Sequence, residues 1–135
     1  MKKKIEILLI DIMDRFIGID CEEIKKVISD VSKEKDLKLI NNYKKENRFF
    51  KLSKILNIIE NIDYNSLIII DMENLKDLMI AVPFITNIIT PDLIDILTVP
   101  ELIKKKQNPF FVWGFVKNED KMVSLVTFAS FINKG

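Results

Sequence analysis

Histidine is absent from all 135 residues, and with it the commonest general base and metal ligand. The one cysteine, Cys21, can close no internal disulfide, and without histidine it has no partner for a Cys–His nucleophile pair. Beside apolar neighbours it reads as a buried, inert thiol. Three glycines and four prolines leave little material for tight loops. There is no Gly-rich phosphate cradle, no Gly-x-Ser-x-Gly elbow and no metal-ligand spacing. No apolar run has the length of a membrane span. The opening MKKKIEILLIDIM starts like a signal peptide, but Glu6 and Asp11 interrupt it and no small-residue cleavage site follows. The chain therefore reads as cytoplasmic, with no direct membrane insertion. A dominant charge is missing too: 21 basic and 20 acidic residues leave a net +1. Nucleic-acid-binding domains are usually far more basic, because neutralised phosphates supply their affinity.

Acids three apart, Asp11 with Asp14 and Asp92 with Asp95, keep carboxylate catalysis open. Such pairs arise by chance among twenty acids. The economical reading is a binding or scaffolding protein with no catalytic residue, no cofactor and no metal.

Apolar residues make up 48% of the chain, enough for an independently folded core. They are arranged in an internal repeat. Ile17–Ser29, IGIDCEEIKKVIS, falls in register with Leu78–Thr90, LMIAVPFITNIIT, at an offset of 61 residues. Ile17 meets Leu78, Ile19 meets Ile80, Ile24 meets Ile85, Val27 meets Ile88 and Ile28 meets Ile89. Each copy reads as a strand end running into a short helical turn. Two copies suit one domain, 1–135, made of related halves about a pseudo-twofold axis, 1–62 and 63–135.

In chain order, Ile5–Ile12 and Phe16–Asp20 form a hairpin across Met13–Asp14–Arg15. Asp20 caps a helical turn whose apolar face is Ile24, Val27 and Ile28. Ser29–Lys38 is a loop or a frayed helix end. Leu39–Ile40 and Phe49–Leu52 form a second hairpin, with Asn41–Asn47 across its turn. Ser53 caps a helix with Ile55, Leu56, Ile59 and Ile62 inward. Leu67–Asp71 and Leu78–Val82 are strands, and Pro83 opens a helical turn. Thr90–Pro91–Asp92 starts another helix, carrying Leu93, Ile96 and Leu97. Lys104–Lys105–Lys106 is an anion site or a solvated loop. Phe110–Val116 and Met122–Val126 form the last hairpin, and Thr127–Ile132 a closing helix. Trp113 beside Gly114 is a ligand platform or core filler.

These motifs resemble the CheW-like adaptor domain of bacterial chemotaxis. FIGIDCEEIKKVI (16–28) resembles the family's opening strand-to-helix signature, and Leu67–Ile89 its later strand pair, which ends in DLMIAVPFITNII. PFFVWGFVKNEDKMVSLVTF (109–128) resembles its glycine-bearing hairpin, with Gly114 at the glycine. KLINNYKKENRFFKL (38–52) aligns with Gly114–Phe128 as a worn copy of that hairpin. Its Asn41 stands at the family's Asn, but Tyr43 stands where the family has the Arg of its partner-contact loop, and the Asp of the following strand is lost. Thr127 replaces a further Asp.

The resemblance implies a mainly β fold: two small SH3-like β-barrel halves with short helices. It implies a non-enzymatic adaptor that couples a chemoreceptor's cytoplasmic tip to the regulatory domain of a CheA-type histidine kinase. Carried over by position, the partner-binding residues are Asn41, Tyr43, Lys44 and Lys45. Phe49 and Phe50 alternate in direction, so the outward one becomes an interface anchor. Two other readings remain: a diverged CheW-like module in another signalling or motility system, and a small β-barrel that binds nucleic acid through Lys2–Lys4 and Lys104–Lys106.

Overall fold

The computed structural model describes residues 4–31, 34–58, 60–72, 75–98 and 111–128. These residues form ten strands in two sheets, with two short helices. The expected mainly β fold with short helices is what the chain adopts.

The first hairpin is β1 (Ile7–Ile12) with β2 (Arg15–Asp20), antiparallel, with Ile12 opposite Arg15. The two-residue turn needs left-handed backbone at Met13 and Asp14 (φ 52° and 63°), the signature of a type I′ turn. Asp14 N–H donates to Asp11 Oδ1 at 3.1 Å, which gives that acid pair a turn-forming role. Apolar residues on both alternations of β1 are buried: Ile7 and Leu9 on one, Leu8, Ile10 and Ile12 on the other.

A 3-10 turn, Cys21–Glu23, leads into β3 (Ile24–Ile28). Asp20 Oδ1 accepts the Glu22 N–H at 2.9 Å, so the expected cap exists. It caps one turn only, because Val27 and Ile28 pair with Ile68 and Leu67 as a strand in place of the expected helix. The second copy of the repeat corrects in the same way. After β6 (Leu78–Val82), Pro83 precedes strand β7 (Phe84–Ile89), not a helical turn. The two copies are thus equivalent: β2 to β3 and β6 to β7 are the two places where the chain leaves one sheet for the other.

One sheet runs β7-β1-β2-β10-β9-β8, with β8 at Leu97–Thr98, β9 at Phe111–Asn118 and β10 at Lys121–Thr127. The expected hairpin of β9 and β10 is present, and β10 also lies parallel to β2. The register slips between Leu125 and Val126, a bulge beside Trp113. Gly114 sits opposite Thr98, and a Cβ there would fall 2.9 Å from the Leu97 carbonyl oxygen. Ile7, Leu9, Ile96, Val116, Val123 and Leu125 make this unit's core, with Trp113 packed against it as filler. The expected start at Thr90–Pro91–Asp92 gives only a 3-10 turn, Leu93–Asp95, with Ile96 buried and Leu93 and Leu97 exposed.

The other sheet runs β3-β5-β6-β4, with β5 at Ser66–Ile70 and β4 at Phe49–Lys51. β5 is buried along its whole length. β4 lies parallel to β6 at the edge, Phe49 opposite Met79. Helix α2 (Leu52–Ile55) follows β4 directly. Ser53 is buried inside α2; the cap position is Lys51, which makes no side-chain capping bond. Ile55, Leu56 and Ile62 are half-buried, and Ile59 lies outside the described residues.

The described residues divide into two compact units, those of Met1–Glu22 with Thr86–Gly135 and those of Glu23–Ile85. Residue 62, the boundary expected from the sequence, lies inside the second unit. The units change where the chain switches sheets. Lys104–Lys106 and the closing segment beyond Phe128 fall outside the described residues.

Candidate functional site

The partner-binding residues expected from the sequence fall on 39–52, which is not a hairpin. Helix α1 (Glu34–Lys45) occupies its first half, and β4 follows near its end. Several signals favour the helix. Glu34 and Asp36 sit in the first turn and Lys44 and Lys45 in the last, each matched to the helix dipole. Asp36, Ile40 and Tyr43 lie at helical spacing and are buried. The helix stops at Asn47, in left-handed conformation at φ 57°. Arg48 N–H donates to the Tyr43 carbonyl at 2.8 Å and Asn47 N–H to the Lys44 carbonyl at 3.1 Å, the two bonds of a Schellman motif. α2 ends in the same way, with Asn57 at φ 59°, Ile58 N–H on the Ser53 carbonyl and Asn57 N–H on that of Lys54. Asn47→Ala is expected to lower stability by about 1 kcal/mol and Asn47→Gly to leave it unchanged or raised. Urea denaturation followed by circular dichroism measures both; equal losses would show that left-handed backbone at 47 is not what ends the helix.

The capping residue then shapes the surface. The Arg48 guanidinium stacks 4.3 Å above the Tyr43 ring. Arg48 also donates to Glu46 and to the Asp77 carbonyl oxygen. Lys76 reaches Glu46 at 3.3 Å and Lys25 reaches Asp77 at 3.0 Å. Hydrogen bonds from Lys76 and then Arg48 hold the Glu46 carboxyl below its ordinary pKa. The stability that the Glu46 pairs lend is therefore present at neutral pH and is lost as pH falls through that lowered value.

Asn41, Lys44 and Lys45 are exposed. Tyr43 is not: 8% exposed, it packs with Ile40, Leu67, Ile69, Met79 and Ala81. Its expected place in a contact loop is corrected to the core, because the loop is a helix and position 43 lies on its inner face. Phe49 and Phe50 are both half-buried, so neither is a fully outward anchor. Phe49 meets Tyr64 edge-to-face, centroids 5.9 Å apart. Lys44 Nζ lies 5.0 Å from the Phe49 centroid and Lys51 Nζ 5.7 Å from that of Tyr64. The structure thus brings Lys44 and Phe49 together and adds Arg48, Lys51 and Tyr64. The run Arg48–Phe49–Phe50–Lys51 held part of that signal; Tyr64 arrives from beyond α2.

Elsewhere, Cys21 is half-buried in a cleft of about 390 Å³ lined by Lys4, Ile5, Glu6, Asp20, Glu22 and Leu93. Burial, then the charges of Glu6 and Asp20, push its thiol pKa up, which suppresses the reactive thiolate. Among the described residues no group of three His, Cys, Asp or Glu side chains is placed to hold a metal ion. Nor is any of their helices long and apolar enough to cross a membrane.

No family model matches the chain, and no curated protein does. Among solved structures, the crystal structure of the scaffolding protein TtCheW from Thermoanaerobacter tengcongensis is similar, with a TM-score of 0.66. The match covers 93% of this chain and 85% of that one, at 20% identity. Identity so low leaves the backbone arrangement as what the two proteins share, and the fold of this chain is that of a CheW-like domain.

Proposed function

We propose that this chain is a non-enzymatic, cytoplasmic CheW-like adaptor. It couples a chemoreceptor's cytoplasmic tip to the regulatory domain of a CheA-type histidine kinase. The observation that carries the reading is the match of its fold, over nearly the whole chain, to a scaffolding protein. The mechanism is scaffolding: one domain binds two partners and so raises the effective concentration of each near the other. Calorimetric titration with the regulatory domain of the CheA kinase from the same organism, then with a receptor-tip fragment, tests it. Micromolar binding to both supports the reading; a folded protein that binds neither overturns it.

Within this reading the contact residues are Asn41, Lys44 and Lys45 on the outer face of α1, with the accessible parts of Phe49 and Phe50 on β4. Charge reversal, Lys44→Glu with Lys45→Glu, is expected to weaken partner binding by about tenfold. Both side chains are exposed, but they lie in the last turn of α1, so the melting temperature should fall by a few degrees and affinity is compared where both proteins are folded. An unchanged affinity would remove the end of α1 from the site. Tyr43 at the family's Arg position and Lys51 at its Asp position favour a second reading, in which the fold serves another signalling or motility partner. Retained folding with a different protein recovered from native lysate selects it.

A further inference from the structure

Some cations of the second unit are engaged by carboxylates and others are not. Lys25, Arg48 and Lys76 meet the carboxylates of Asp77 and Glu46 at 3.0, 2.7 and 3.3 Å. Lys44 and Lys51 meet aromatic rings instead, at 5.0 and 5.7 Å, and those two rings touch each other. Among the described residues no carboxylate lies within salt-bridge distance of Lys44, Lys45, Lys51 or Lys54. The imbalance is local. Between residues 37 and 58 there are six basic residues and one acid, Glu46, already engaged by Arg48 and Lys76. The chain as a whole is only +1.

We propose that this face, running from the end of α1 across β4 to Tyr64, docks an acidic segment of a partner protein. Lys44 and Lys51 take carboxylates of the segment, and an apolar side chain between them rests on Phe49 and Tyr64. The proposal rests on the adaptor reading and names the chemistry of one partner. A lysine over a ring is already narrowed in conformation and partly stripped of water, so pairing it with a carboxylate orders little more. Two such lysines on either side of an aromatic pair favour a pattern of acid, apolar residue, acid. A nucleic acid draws its affinity from many neutralised phosphates, and four lysines on a near-neutral chain supply few.

The test uses the full chain and a fluorescein-labelled peptide in which Asp and Glu flank a Leu–Phe pair, followed by fluorescence anisotropy. Its controls are the Asn/Gln version of the peptide, a single-stranded oligonucleotide of equal charge, and vesicles containing phosphatidylserine. The acidic peptide is expected to bind, and the amide version to bind at least about tenfold more weakly. Lys44→Gln with Lys51→Gln should weaken binding to a similar degree, Lys44→Arg with Lys51→Arg should retain it, and Lys117→Gln should leave it unchanged.

Equal binding of the two peptides overturns the proposal, as does full affinity in the Gln pair. An oligonucleotide or a vesicle that displaces the peptide also overturns it. If the CheA regulatory domain and the receptor tip bind the Gln pair as tightly as the unaltered chain, this face falls and the adaptor reading stands. If neither binds the unaltered chain while the peptide results hold, the adaptor reading falls and the acidic docking face stands.

Discussion

Tyr43→Ala is expected to cost about 3 kcal/mol of folding stability or more, the range for removing a buried aromatic ring. Tyr43→Phe, which keeps the ring, should cost a small fraction of that. The ring is 8% exposed and packs against residues of β5 and β6. It also lies beneath the Arg48 guanidinium at the point where α1 stops, so alanine removes core volume and the stack over the cap together. The same residue was expected in a contact loop, where its loss would lower partner affinity and leave stability within about 0.5 kcal/mol. The two placements predict opposite outcomes from one variant. Urea midpoints by circular dichroism, beside partner affinity at a temperature where both proteins are folded, separate them. Near-native stability with lost binding would return the ring to the surface. Asn41→Ala is the stability control, since that side chain is exposed and off the inner face.

The hairpins were legible because their patterns admit one solution. β1 with β2, and β9 with β10, each join two apolar runs through a short turn, and both appear where expected. The segments after β2 and β6 were not legible in the same way. Ile24, Val27 and Ile28 satisfy helical spacing, but three residues over five positions also fit a strand. What decides is the partner: β5 supplies Leu67 and Ile68 opposite Ile28 and Val27. That information lies forty residues away and has no local trace. In the second copy, Phe84 and Ile88 remain exposed on β7, so burial did not mark that strand either.

The candidate site shows the same division. Asn41 and Asn42 suit a turn because asparagine tolerates left-handed backbone, yet the residue that uses this property is Asn47. Acid at the start of α1, Ile40 and Tyr43 at helical spacing, and paired lysines at the end were all present in the sequence. Leu39–Ile40, an apolar pair, fits a strand equally well and hides that pattern. Lys44 and Phe49 are close in the chain, and their pairing could be anticipated. Tyr64 and Asp77 reach the same neighbourhood only because β5 and β6 bring the intervening chain back beside β4.

Gly18→Val is expected to destabilise the protein by about 3 kcal/mol and Gly18→Ala by about 1–2 kcal/mol, both through overpacking. Gly18 lies on β2, between β1 and β10, opposite Leu9 on one side and Leu125 on the other. A Cβ there would fall 2.6 Å from Ile7 Cγ2, 2.8 Å from Leu125 Cδ2 and 3.0 Å from Val123 Cγ1. All three residues belong to the core of this unit. The backbone at 18 is not left-handed, so the cost is steric and not conformational. This makes it repairable. Ile7→Leu removes the β-branch methyl nearest the new Cβ, and by itself should cost under about 1.5 kcal/mol. Combined with Gly18→Ala it should recover much of the loss, giving a coupling of about 1 kcal/mol in a double-mutant cycle. Additive losses would show that the added carbon strains the backbone between the strands and not the side chains around it.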